Sequence, residues 1–204
     1  MIRFLFQGDS ITDAERKRED DNNYGFGYPN LVAAELMCKE PGKYEFINRG
    51  ISGNRIVDVY ARIKRDIINL KPDCMSLLIG VNDVWHELGD KNGVSAPKFE
   101  VIYSMLIEEI KEALPDIKII ILEPFVVKGP ATECWFDAFL ADVKLHAQAA
   151  KSVAEKYSLT FVSLQDKFDE ASKLMPPTYW TTDGVHPTAA GHGLIKNELI
   201  KVID

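Results

Sequence analysis

Short apolar runs alternating with longer helical patterns constrain the fold of this chain more than any other feature. Five segments read as strands: Ile2–Phe6, Tyr44–Asn48, Cys74–Ile79, Ile117–Leu122 and Thr160–Ser163. Most are apolar nearly throughout, as expected of strands covered on both faces. Between them, helical spacing of apolar residues covers Tyr28–Cys38, Val57–Leu70, Lys98–Ala113 and Phe136–Tyr157. A last helix is expected from Thr188 to Val202, with Thr188 near its N-terminus. Strands separated by helices need right-handed crossovers, so the expected class is α/β, a three-layer α/β/α arrangement about a five-stranded parallel sheet. There is no internal repeat, low-complexity tract or linker, and 204 residues suit one domain over 1–204.

Charge and cysteine usage narrow the function classes. The 31 acidic against 24 basic residues, a net charge of −7, argue against a surface that tracks nucleic-acid phosphates. Arg16, Lys17 and Arg18 sit among Asp13, Glu15, Glu19, Asp20 and Asp21, so no basic patch faces a membrane. Cys38, Cys74 and Cys134 are odd in number and widely spaced, which fits neither a disulfide framework nor a zinc site. Cys74 reads as a reduced core thiol. No cofactor or metal motif is present. The first strand begins at Ile2, leaving no room for a signal peptide, and no apolar run reaches membrane-spanning length, so a cytoplasmic protein is expected.

In an open parallel sheet, ligands bind outside the C-terminal ends of the strands. The first strand runs into "QGDSITDAE", where Gly8 permits a tight turn and Ser10 is either a nucleophile or a helix cap. The motif is neither a G-x-S-x-G elbow nor a Walker loop. After the second strand, "NRGISGNR" carries Gly50 and Gly53, a loop whose backbone can approach a ligand closely. After the third, "IGVNDVWHEL" places Asn82 toward the crevice, as an oxyanion donor or simply part of a turn. Near the C-terminus, "TTDGVHPTAAGHG" sets Asp183 three residues before His186, and Pro187 restricts His186 to an extended or turn conformation. Each signal alone is weak. Together they bring Ser10, Gly53, Asn82, Asp183 and His186 beyond strand ends on one side of one sheet.

"GDSIT", "GISGN", "GVNDVW" and "DGVHP" resemble, in order and spacing, the four sequence blocks of the SGNH hydrolases, also called the GDSL esterase/lipase family. The resemblance spans essentially the whole chain; Gln7, where an apolar residue is commoner, is a minor departure. "NRGISGN" with "IGVNDVW" is most similar to the small bacterial acetylesterases that act on carbohydrate. The resemblance implies a flavodoxin-like architecture and a serine esterase without cofactor or metal. Ser10 would be the nucleophile, His186 the general base and Asp183 its orienting carboxylate. The backbone N–H groups of Ser10 and Gly53, with the Asn82 amide, would form an oxyanion hole.

The implied substrate is a small ester or acetylated saccharide. Lysophospholipases and thioesterases share the constellation. A non-catalytic carbohydrate-binding module would not need the triad, and a flavodoxin-like nucleotide-binding protein would want phosphate-cradling chemistry at "GDSIT". Asp9 and Asp83 are expected to brace their turns, His192 to pack or cap, and His86 and His146 to be solvated. Trp85 suits either a wall of the acyl pocket, the favoured reading, or core filling, with Tyr24 and Phe26 near the mouth. Tyr179 and Trp180 suit either sugar stacking or a homo-oligomer interface.

Overall fold

All five apolar runs pair side by side in the computed structural model, which describes residues 1–203. The strands are β1 (Ile2–Gly8), β2 (Tyr44–Asn48), β3 (Cys74–Leu78), β4 (Lys118–Leu122) and β5 (Thr160–Val162). They form one parallel sheet in the order β2-β1-β3-β4-β5. The α/β class and five-stranded parallel sheet are as expected. The helices are α1 (Ser10–Asp13), α2 (Tyr28–Lys39), α3 (Ile56–Ala61), α4 (Ile63–Asp66), α5 (Val81–Asp90), α6 (Ala96–Ala113), α7 (Phe136–Lys156), α8 (Gln165–Ala171), α9 (Pro177–Trp180) and α10 (Ala189–Ile200).

The period-two alternation of β1 divides the interior into two apolar layers. Phe4 and Phe6 pack with Val32 of α2 and Ile195 of α10, whereas Leu5 faces Val59 of α3 and Tyr103 of α6. Both faces are therefore covered, which is why these strands lack polar alternation.

Strand register positions the site. Phe6 pairs with Asn48 and Gly8 with Leu78, so the chain leaves β1, β2 and β3 at neighbouring points on one edge. The switch in strand order lies between β1 and β3, where an open parallel sheet forms its crevice. A buried Asn48 ties this edge together. Its Nδ2 donates to Thr12 O at 2.6 Å and Tyr24 O at 3.0 Å, while its Oδ1 accepts from Gly50 N at 2.8 Å.

Two elements differ from expectation. The helix expected over Val57–Leu70 breaks into α3, α4 and a 3₁₀ turn at Ile68–Leu70. Its run of β-branched residues lowers helix propensity, and the first break falls at Arg62, whose side chain turns inward to bind both neighbouring strand ends. Conversely, "VNDVWHEL" forms α5 rather than a loop. Val81, Val84, Trp85 and Leu88 have helical i, i+3, i+4, i+7 spacing, so the short strand-end motif concealed an amphipathic helix.

Asn48→Ala should lower unfolding free energy by about 2 kcal/mol or more, because it strands buried backbone groups of Thr12 and Gly50 at roughly 1–3 kcal/mol each. Urea denaturation of both proteins measures this. Equal midpoints and slopes would show that the Asn48 bonds do not hold the edge together.

Candidate active site

The Ser10 turn is built from the end of β1. Asp9 caps α1, its Oδ1 accepting from Ile11 N at 3.0 Å, and Ser10 occupies the first helical position. Gly8 has φ +157°, and a Cβ there would lie 2.3 Å from Leu78 O and 2.4 Å from Thr12 Oγ1. No other residue fits between β3 and the turn.

The C-terminal turn reaches the serine from the other end of the chain. Ser10 Oγ lies 2.9 Å from His186 Nε2, and His186 Nδ1 lies 2.6 Å from Asp183 Oδ2. The second Asp183 oxygen accepts from His186 N at 2.8 Å and Val185 N at 2.9 Å, so the aspartate fixes both the ring and the backbone beneath it. Burial pushes the Asp183 carboxyl up, but these hydrogen bonds outweigh it and hold it at about 2. The bond from Asp183 raises His186 above its usual 6.5, against partial burial that lowers it. A carboxylate acceptor at Nδ1 directs the neutral ring's proton there and leaves Nε2 able to accept the serine proton.

The His turn docks on the segment after β4. Val127 N donates to Gly184 O and Ala131 N to Asp183 O, each at 2.9 Å. Sequence reasoning missed this docking platform, which carries no ionisable motif. Thr132 Oγ1, bonded to Val127 O at 2.8 Å, shapes it.

Gly53 and Asn82 meet the serine from two further strand ends. Gly53 has φ +80°; a Cβ there would meet nothing within 4 Å, so backbone conformation rather than space calls for glycine. Asn82 lies in the first turn of α5. Its Nδ2 donates to Asn54 O at 3.1 Å, which fixes the amide and leaves its second N–H to project elsewhere. Asp83, buried beside it, accepts from Ile56 N at 3.1 and 3.2 Å and joins α5 to α3. Burial pushes the Asp83 carboxyl well above the usual range. Asp9 is pushed up to about 7 by its own burial, against the lowering bond from Ile11 N–H.

Ser10, Gly53, Asn82 and His186 line one open cleft of about 710 Å³, with Trp85, His86, Glu15 and Asp90 among its other walls. Trp85 sits between His186 and Phe139, with ring centroids 5.8 and 5.9 Å away. The other aromatic residues expected near the mouth do not line the cleft. Tyr24 packs edge-on against Phe46, and Trp180 donates to Ala171 O and Met175 O, so neither reaches the cleft; Phe26 and Tyr179 are exposed outside its lining. His86 is half-buried at the cleft wall rather than solvated. His146 is fully buried, on the same face of α7 as Phe139 and Val143, with ring nitrogens 2.9 Å from Asp142 O and 2.8 Å from Val94 O. His192 does cap: it accepts from Tyr28 N at 3.1 Å, and burial lowers it to about 4.

Among the charged groups that escaped the sequence reading, Asp13 and Arg62 bear on the site. Asp13 Oδ2 accepts from Ser52 N at 3.0 Å and from Arg18 Nη2 at 2.7 Å, anchoring the loop that carries Gly53. Arg62 binds across the ends of β1 and β2. The i, i+4 spacing of Arg62 and Asp66 on a helical pattern was the available signal.

Geometrically, the cleft presents a hydroxyl bonded to a base, a base bonded to a carboxylate, and an amide beside them. This arrangement can activate an oxygen nucleophile and stabilise an anion formed by its attack. Comparison with known proteins agrees. Residues 6–194 match the GDSL-like Lipase/Acylhydrolase family. An acetylxylan esterase of Geobacillus stearothermophilus is 33% identical over 210 residues, covering 98% of this chain and 93% of the esterase. A GDSL-like protein of Parabacteroides merdae superposes with TM-score 0.92 at 35% identity, over 98% of this chain and 94% of that one. The solved Axe2 acetylxylan esterase of Geobacillus stearothermophilus gives 0.88 at 31%, over 98% and 93%. Two Axe2 structures are catalytic mutants in which a serine or an aspartate is replaced by alanine.

NMR titration of the His186 ring should give a midpoint above 6.5, and Asp183→Asn should lower it by removing the charge-assisted bond. Reading the ring directly separates it from Asp9, which titrates nearby at about 7. A midpoint unmoved by Asp183→Asn would mean that this pair is not formed in solution.

Proposed function

Because the chain belongs to the GDSL-like lipase/acylhydrolase family, we propose that this cleft removes acetyl groups from acetylated sugars or small oligosaccharides. The protein is a serine esterase. The observation that carries the assignment of roles is the continuous hydrogen-bonded chain from Ser10 through His186 to Asp183 at the cleft wall.

Ser10 Oγ attacks the ester carbonyl carbon while its proton passes to His186 Nε2. Asp183 stabilises the imidazolium that forms. The carbonyl oxygen becomes an oxyanion facing the backbone N–H groups of Ser10 and Gly53 and the free N–H of Asn82, donors oriented before the reaction begins. Collapse breaks the bond to the sugar oxygen, which leaves with the proton from His186. Water then repeats the sequence on the acyl-serine, releasing acetate and restoring Ser10. The base must be neutral at the start, so kcat/KM is lost as pH falls through the raised pKa of His186.

The alternatives of a lysophospholipase, a thioesterase or a binding module have no comparable support. No helix among the described residues is long and apolar enough to cross a membrane. Three free cysteines support the proposal of a reducing, cytoplasmic setting. The half-exposed Tyr179, outside the cleft, is the feature that supports self-association.

Ser10→Ala should abolish ester hydrolysis with the fold intact, and fluorophosphonates should label Ser10 in the parent enzyme. Asn82→Ala should lower kcat by about 10²–10³ with a smaller change in KM, the magnitude for losing one oriented donor. Turnover retained by folded, pure Ser10→Ala would sink the mechanism, and an unchanged kcat in Asn82→Ala would reduce that residue to a turn former.

Trp85, wedged against Phe139 and His186, walls the space beside the base. Acetyl fits without rearrangement, whereas a long acyl chain must displace the indole. Acetate should therefore exceed octanoate in kcat/KM on p-nitrophenyl esters, with the preference relaxed in Trp85→Ala. An octanoate preference in the parent would move the assignment to a lipase.

A further inference from the structure

We propose that Arg62 is a positioning residue for the oxyanion hole, holding the Ser10 turn and the Gly53–Asn54 loop in mutual register from behind. The proposal rests on the serine-esterase reading above and adds a residue that does not line the cleft.

The Arg62 side chain is 10% exposed, and its contacts span three chain segments. Nε donates to Asn54 Oδ1 at 2.9 Å. Nη1 donates to Arg49 O at 2.8 Å and Asp66 Oδ2 at 3.0 Å. Nη2 donates to Gln7 Oε1 at 2.7 Å and Gly8 O at 3.3 Å. A guanidinium has five N–H donors in a fixed plane, and each has an acceptor here. Two acceptors immediately precede the Asp9–Ser10 turn, and a third belongs to the residue following Gly53. That same Asn54 accepts from Asn82 Nδ2 through its carbonyl. All three groups of the proposed oxyanion hole thus lie within one or two links of a single planar cation.

The arrangement also engages the Gln7 side-chain oxygen, although its buried Nε2 has no hydrogen-bond partner among the described residues. A buried amide in the middle of an apolar sheet is costly unless bonded. Its Oε1 accepts both from Arg62 and from Gly8 N at 3.0 Å, so it transmits the guanidinium's position to the first residue of the turn.

A plain ion pair would not need this geometry. Asp66 has a second cation, Arg65, bonded to both carboxylate oxygens at 2.8 and 3.0 Å. Arg65 has no hydrogen bond to the strand ends among the described residues. Arg62 and Arg65 therefore share a carboxylate but differ in whether they hold the two loops, which makes one a control for the other.

The test uses kcat and KM on p-nitrophenyl acetate, with circular dichroism and thermal melting for fold. Arg62→Lys keeps a cation for Asp66 but not the planar fork. We expect kcat to fall about 10–100-fold with KM little changed, as for a small misplacement of reacting groups. Arg65→Ala should retain parental kcat. In the double variant Arg62→Lys/Asn82→Ala, the losses should be less than multiplicative, because both act on one hole. Folded Arg62→Lys with parental kcat, a loss confined to KM, or losses that multiply fully with those of Asn82→Ala would each overturn the proposal. Should Arg62→Lys fail to fold, Asn54→Ala, which removes only the Nε acceptor and keeps the Asn54 carbonyl, decides on the same criteria. Failure of the esterase reading is distinguishable: it would appear as turnover in Ser10→Ala, whereas failure of the Arg62 role would leave Ser10-dependent turnover undiminished in the Arg62 variant.

Discussion

The pairing of β1 with β3 is the contact on which the site depends. Gly8 sits opposite Leu78, with its backbone so close to Leu78 O that even a methyl group would collide. That approach ends both strands at one level, so the serine turn and the Asn82 helix leave the sheet side by side. Had β1 stopped two residues earlier, Ser10 would move by about 7 Å at 3.3 Å per residue. The hydroxyl would then lie outside hydrogen-bond range of any base held by the far end of the chain.

Around this contact the protein uses two ways of holding groups in place. The His turn is held by backbone: Asp183 O and Gly184 O accept from the segment after β4, and Asp183 itself binds the local N–H groups. The Gly53 loop has one backbone bond to β1, Ile51 N to Gly8 O, and is otherwise held by side chains: Asp13 on Ser52, Asp83 on Ile56 and Arg62 on Asn54. The difference follows from what each part offers. The His turn is a short local fold with its donors facing inward. The Gly53 loop exposes its backbone to the cleft, where a donor tied up in the protein could not serve an oxyanion. No protein acceptor among the described residues takes the Gly53 or Ser10 backbone N–H. Side-chain anchors secure the loop while leaving those donors uncommitted.

The sequence made the sheet and the cleft legible for separate physical reasons. Apolar runs of strand length mark doubly covered strands, and the parallel rule then locates the crevice without atomic detail. Ser10, Gly53, Asn82, Asp183 and His186 could be picked out as candidates because each lies in a short motif at a strand end or turn. Arg62 and Asp13 were not, because their importance lies in burial, which one sequence does not display; Lys17, Arg18 and Glu19–Asp21 obscured Asp13 with ordinary surface charge, and buried Arg16 was hidden among them. The broken helix over Val57–Leu70 and the concealed α5 failed in opposite directions. In the first, apolar periodicity overrode poor propensity and the inward turn of Arg62; in the second, a functional reading of "GVNDVW" overrode its helical period. His146 reads as solvated when taken alone, whereas its spacing from Phe139 and Val143 on α7 already put it on the buried face.

Buried charge near the serine favours its chemistry in a specific way. Asp9 and Asp83 are both carboxyls that burial pushes upward, and charge on Asp9 raises Asp83 further. In the proposed mechanism, two ionised carboxylates at those positions would oppose the oxyanion a few residues away. Holding their pKa values high lessens that negative charge, while hydrogen bonds lower the Asp183 pKa to about 2, where the proposed mechanism calls for an anion. The chain's acidic side chains thus fall into opposite roles by environment alone: the one supplied with three N–H donors carries the charge, and those left with one are driven toward the neutral form. The same separation explains why Arg62 can lie buried behind the Gly53 loop. Its charge is matched by Asp66, which two arginines hold below the usual carboxylate range against the upward push of burial. Its neutral acceptors on Gln7, Gly8, Arg49 and Asn54 then fix direction rather than balance charge, and direction is what an oxyanion hole requires of its supports.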